Sequence, residues 1–129
     1  MKIKLFIASL ILVVMMFSIP GCQGHDSDLE IKLAPIHEVQ ISIAESFPEQ
    51  IFVHIKGGLA DSCTKFHDLI EERSGTKIKI KITTERPRNA ICAQVYSYFE
   101  KSINLGSNFT SGQIYTVEVN GITETFVYP

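Results

Sequence analysis

Hydrophobic and polar positions alternate with a period of two in several stretches beyond residue 37. In "EVQISIA" (38–44), Val39, Ile41 and Ile43 share one face, and in "QIFVHIK" (50–56) Ile51, Val53 and Ile55 do the same. "KIKIKIT" (77–83) sets Ile78, Ile80 and Ile82 against Lys77, Lys79 and Lys81. Successive side chains of an extended chain point to opposite faces, so this pattern predicts strands with one buried face. "QIYTVEVNGITETFVY" (113–128) carries Asn120-Gly121 between two alternating arms, the strongest short-range signal for a hairpin. A two-residue turn there pairs Val119 with Ile122 and Tyr115 with Phe126. It also sets Glu124 opposite Val117, a charge that a bulge or an edge position must accommodate.

Two segments break the alternation. "TKFHDLIEERSG" places Phe66, Leu69 and Ile70 at helical spacing with Gly75 as a stop, and "NAICAQVYSYFEKSINLG" puts Cys92, Val95, Tyr96 and Phe99 on one helical stripe. If both are extended, the chain is an antiparallel β-sandwich of about seven strands; if both are helical, at 64–73 and 89–99, it is an α+β fold. The order C-T-x-F, R-x-G-x-x-I-x-I, R-P, C-A, F-E, L, G-x-x-Y-x-V-x-V-N-G, F, running from Cys63 to Phe126, resembles a group of uncharacterised secreted bacterial domains. That resemblance implies an immunoglobulin-like, all-β sandwich, and its motifs are turn and core residues that imply no activity.

The amino end has a different character. Lys2 and Lys4 precede an apolar run of 15 residues from Leu5 to Ile19. A basic start and a short apolar stretch mark a secretory signal peptide, whereas a membrane-spanning helix needs about 20 residues. Ile19-Pro20-Gly21-Cys22 resembles the lipobox of bacterial lipoproteins, which implies cleavage before Cys22 and acylation of that residue. Two or three acyl chains, at about 0.8 kcal/mol per buried methylene, hold a protein durably to a bilayer. The expected organisation is a leader at 1–21, an anchored polar tether at 22–35 and a sandwich domain at 36–129. The expected location is the extracytoplasmic side of a cell membrane or outer membrane.

The leader holds two of the 12 basic residues and none of the 14 acidic ones, so the remainder carries a net charge of −4. That balance argues against nucleic acid as a partner. With Cys22 acylated, Cys63 and Cys92 are the remaining cysteines, in a compartment where disulfides persist, and a structural bond between them is expected.

The sequence carries few residues in catalytic or metal-binding patterns. The four histidines form no HxH or HExxH pair, so no metal and no cofactor is expected. Ser62 to Lys65 fits SxxK without its partner motifs, no GxSxG occurs, and "KGGLADS" lacks phosphate-loop spacing. An enzyme is not expected. Lys77, Lys79 and Lys81 line one strand face as a candidate anion-binding stripe, with Lys56, Arg86 and Arg88 as candidate neighbours. Its bland reading is a solvated face that protects an edge. Tyr96, Tyr98, Phe99 and Phe52 are candidates for an exposed aromatic patch, although core packing is expected for at least two of them.

The leading reading is an envelope lipoprotein whose domain binds without catalysis, its partner an envelope protein or an anionic glycan. The alternative is a secreted protease inhibitor offering the loops "KGGLADS", "ERPRNA" and "LGSNFTSG".

Overall fold

The fold is known from a computed structural model, which describes residues 28–129. Eight strands follow in order: β1 (Leu29–Leu33), β2 (Ile36–Ala44), β3 (Gln50–Leu59), β4 (Lys65–Ser74), β5 (Lys77–Pro87), β6 (Ser97–Gly106), β7 (Ile114–Val119) and β8 (Ile122–Val127). They form two sheets, and no helix occurs among the described residues. The chain is an all-β sandwich. Both segments with helical spacing are extended or irregular: 65–74 is β4, and 88–96 is a loop leading into β6. The leader and Cys22 lie outside the described residues. Strand β1 falls within the stretch expected to be a tether and pairs with β5 from Leu29↔Pro87 to Leu33↔Thr83, so the folded part starts before residue 36.

One sheet contains β2, β3 and β6 in that order. In the other, β5 is the central strand. Residues 77–85 pair with β4 on one side, while the opposite side is shared between β7 at residues 77–80 and β1 at residues 83–87. The β5–β7 pairing is parallel, so the sandwich is not wholly antiparallel as expected. The cause is the route of the chain: it leaves β5, crosses to the other sheet as β6, and returns beside the start of β5. A parallel pair requires such a crossover.

Alternation places the core where the sequence predicts. Ile51, Val53 and Ile55 of β3 face Ile78, Ile80 and Ile82 of β5 together with Val117 and Val119 of β7, all buried. Burying each such side chain contributes roughly 1.5–3 kcal/mol. The terminal hairpin has the expected register, with Val119 opposite Ile122 and Tyr115 opposite Phe126. Asn120 and Gly121 have φ of 45° and 91°, the positive values that a type I′ turn demands. Glu124 lies opposite Val117 on the edge strand β8, exposed, so an edge and not a bulge accommodates its charge.

Where β5 changes neighbours, Ile82 has neither strand fully beside it. The side chain of Asn120 fills the gap. Its Oδ1 accepts from Ile82 N at 2.9 Å, and its Nδ2 donates to Ile82 O at 2.8 Å and to Ala34 O at 2.9 Å.

At one end of the sandwich the loops 60–64 and 88–96 are joined by the Cys63–Cys92 disulfide, with Cα atoms 5.7 Å apart. Asp61, buried there, accepts from Arg86 Nε at 2.7 Å, from Thr64 Oγ1 at 2.8 Å and from the backbone N–H groups of Cys63 and Thr64. Arg86 in turn donates to Ala90 O and to the sulfur of Cys92. The hydrogen bond from Arg86, then that from Thr64, lowers the Asp61 pKa to about 2.

Candidate functional site

The structure scatters some of the residues that the sequence brought together. Lys77, Lys79 and Lys81 are all exposed on the outer face of β5, as alternation requires. Lys77, however, is paired with Glu118 at 2.9 Å, which holds the Glu118 carboxyl below its ordinary pKa. Lys79 stands between Glu72 on β4 and Glu118 on β7. The stripe is therefore interleaved with carboxylates. Its candidate neighbours are elsewhere: Lys56 is on the other sheet, Arg86 is engaged by Asp61, and Arg88 is on the 88–96 loop. A hollow of about 290 Å³ beside Asp61 has its charges already matched, Arg86 with Asp61 and Lys32 with Glu30.

The three loops proposed for protease inhibition do not converge. Gly57, Gly58 and Leu59 belong to β3, Glu85 to Pro87 belong to β5, and the loop after Gly106 lies at the opposite end from the other two. Among the described residues, one acid–sulfur cluster has metal-like spacing, Asp61 with Cys63 and Cys92. Its two sulfurs are bonded to each other, and Arg86 occupies the carboxylate, so it offers no thiolate to a cation.

The outer face of the three-stranded sheet is different. Because Ile51, Val53 and Ile55 point inward, Phe52, His54, Lys56 and Gly58 must point outward, and pairing builds rows across the sheet. Ser42, Phe52 and Asn104 form one row; Gln40, His54 and Ser102 the next; Glu38, Lys56 and Glu100 the third. A groove of about 340 Å³ runs over the second and third rows, lined by Glu38, Gln40, His54, Lys56, Glu100 and Ser102. His54 is fixed between two hydroxyls, Ser42 Oγ at 2.9 Å from Nε2 and Ser102 Oγ at 3.0 Å from Nδ1. In the neutral ring one nitrogen donates and the other accepts. Phe52 lies almost parallel to the His54 ring, with centroids 6.5 Å apart and planes at 13°.

An aromatic cluster closes the groove at the disulfide end. Tyr96 and Tyr98 are exposed, with rings 5.4 Å apart and edge to face, and the His37 ring lies 5.7 Å and 5.5 Å from them. His37 Nε2 and the Tyr96 hydroxyl are hydrogen-bonded, and Lys56 Nζ lies 4.7 Å above the Tyr98 ring. His37 is presented at a register shift between Ile36 and Glu38, a bulge of the kind that re-aims a side chain. The paired glycines of "KGG" explain the rest. A Cβ on Gly58 would meet the Tyr96 hydroxyl at 1.7 Å, and a Cβ on Gly57 would meet the Phe99 ring at 2.2 Å. One glycine lets Tyr96 lie on the outer face, and the other lets Phe99 pack on the inner one. Of the four candidate aromatics, Tyr96 and Tyr98 are exposed, whereas Phe52 and Phe99 are half-buried.

The Ser42–His54–Ser102 chain has the bonding order of nucleophile, base and orienting group. It lies on an open sheet face, however, and backbone N–H groups lie in the plane of a sheet, not on its face. The backbone therefore supplies no oxyanion donors on that face. The face presents flat rings, amides, hydroxyls and charges of both signs on a sheet.

Residues 53–128 match the ORF11 beta-sandwich domain family. The chain is 42% identical over 89 residues to the uncharacterized 10.2 kDa protein in the HgiCIIM 5′ region of Herpetosiphon aurantiacus, covering 69% of this chain and 94% of that protein. It is 40% identical over 79 residues to the uncharacterized 10.2 kDa protein in the HgiBIM 5′ region of the same organism, covering 61% and 95%. No solved structure matches it.

Proposed function

The chain belongs to the ORF11 beta-sandwich domain family, and from that premise we propose that it is an envelope lipoprotein whose sandwich binds a polar ligand without transforming it. Cys22, acylated after removal of residues 1–21, is the anchor, and the domain works on the extracytoplasmic side of the membrane. The observation that carries the binding role is the outer face of β2, β3 and β6. There the exposed Tyr96 and Tyr98, with Phe52 and His54, give ring surface for the apolar faces of a sugar, while Gln40, Ser102 and Asn104 give partners for its hydroxyls. Glycan is the ligand class that combines those two demands. Lys56 and Lys101 balance Glu38 and Glu100 around the groove, which favours a neutral glycan over a strongly anionic one.

Purified peptidoglycan and neutral envelope polysaccharide are the probes. The lipid-bearing protein in detergent should co-sediment with or shift on one of them. Tyr98→Ala combined with His54→Ala should weaken that binding at least tenfold, with Lys79→Ala as the unaffected control. Equal binding by the double variant would remove this face from the proposal. Loss on Lys79→Ala alone would return the ligand site to the β5 lysines.

A further inference from the structure

We infer that the 88–96 loop rests on the bilayer surface, with the side chain of Ile91 inserted among the lipids. This rests on the anchor at Cys22. Asp28 is where the chain enters the sandwich, and it is bonded to this loop: its carbonyl accepts from Arg88 N at 2.9 Å, and its carboxylate accepts from Asn89 Nδ2 at 3.3 Å. Five residues lie between Cys22 and Asp28, and the six residue steps reach at most about 22 Å when fully extended. The strands are longer than that, since ten residues of strand span about 33 Å. The disulfide end is therefore the end that faces the membrane.

That end is built to meet an apolar surface. Ile91 is 102% exposed, and Val95 on the same loop is 60% exposed. Neither is there through slack in the backbone. Cys92, next to Ile91, is bonded to Cys63, the carbonyl of Ala90 accepts from Arg86 Nη2, and Ala93 exchanges hydrogen bonds with Ser62. An isoleucine held in water on a locked loop has lost nothing further to ordering when it enters lipid. Arg88 and Lys65, both exposed at this end, offer cations to headgroups beside the acids Asp28 and Glu85, and the buried Asp61 is neutralised by Arg86. Docking in this way would stand the strands upright and leave the groove open at the side.

The chain contains no tryptophan, so Ile91→Trp provides a single fluorescent reporter, and Phe47→Trp, at a position 99% exposed in the β2–β3 loop at the other end, provides its control. The full-length lipidated variants would be reconstituted in vesicles of phosphatidylethanolamine and phosphatidylglycerol whose acyl chains are brominated. Emission from position 91 should fall by half or more relative to unbrominated vesicles, while that from position 47 should not change. Protein that floats with the vesicles but is unquenched at 91, or is equally quenched at both positions, overturns the docking and leaves the anchor standing. Protein that does not float at all overturns the anchor and the docking together.

Discussion

The carboxamide of Asn120 takes the place of backbone where β5 passes from one neighbour to the next. It satisfies the N–H of Ile82 and the carbonyl of Ala34, which would otherwise be left without partners beside the core, and adds a second donor to the Ile82 carbonyl, which already accepts from Ala34 N. Glycine at 120 keeps the positive φ of the turn but removes those bonds. Asn120→Gly should therefore lower stability by about 2–3 kcal/mol, at roughly 1–3 kcal/mol per stranded buried group and allowing for partial access of water. A urea melt with an unchanged slope and an earlier midpoint is the expected readout, and an unchanged midpoint would remove the role. The turn was legible in the pair Asn120-Gly121. The splice was not, because it depends on which strand lies beside Ile82, and no local pattern reveals a neighbour some forty residues away.

Asp61 makes a second residue-scale prediction. Its pKa is lowered from 3.8 to about 2, so the ionised carboxylate stabilises the fold fully above pH 4, and that contribution is lost as pH falls through about 2. Wild-type protein should lose melting temperature over that window. Asp61→Asn should be less stable at neutral pH and should lack that part of the acid loss. A variant with the same acid profile as wild type would assign the loss to other groups.

Among the elements, β4 shows why helical spacing misled. A register shift between Phe66 and Asp68 inserts an extra residue, so Phe66 and Leu69, three apart, both turn toward the core. A bulge in a strand and a turn of helix produce the same short pattern, and only pairing with β5 separates them. The same strand turns Glu71 and Arg73 toward the interior side, where they pair and Arg73 donates to Leu105 O. Inward charge of this kind protects an edge from pairing with another chain. The candidate face was half legible. Period two puts Phe52, His54 and Lys56 outward, but it ends the strand before Gly57 and Gly58 and assigns them to a loop, and the path that lays Tyr96 over Gly58 belongs to a segment without periodicity. The disulfide that fixes this loop closes 29 residues, worth about 3.5 kcal/mol on the chain-entropy estimate. Reduction should lower the melting temperature by more than ten degrees, taking about 4–8 °C per kcal/mol, and mass spectrometry should find two free thiols only after reduction. Two free thiols in untreated envelope protein would refute the bond.

For the whole molecule, the anchor has a direct test. Cys22→Ser should release the protein from membranes or stop its processing, read by fractionation and size. A variant still in the membrane fraction at mature size would refute the lipoprotein reading.

Strand β1 carries a mechanical consequence. It is the first strand after the proposed tether, its leading end is on the side proposed to face the membrane, and it is held to β5 by five paired residues set in a row along the direction in which the tether would pull. A load of that kind does not peel the pairs open singly; it shears them together, as in a lap joint. A bound glycan that drags on the domain would load this joint in shear, and the joint would have to slip before the chain could be drawn out of the sandwich.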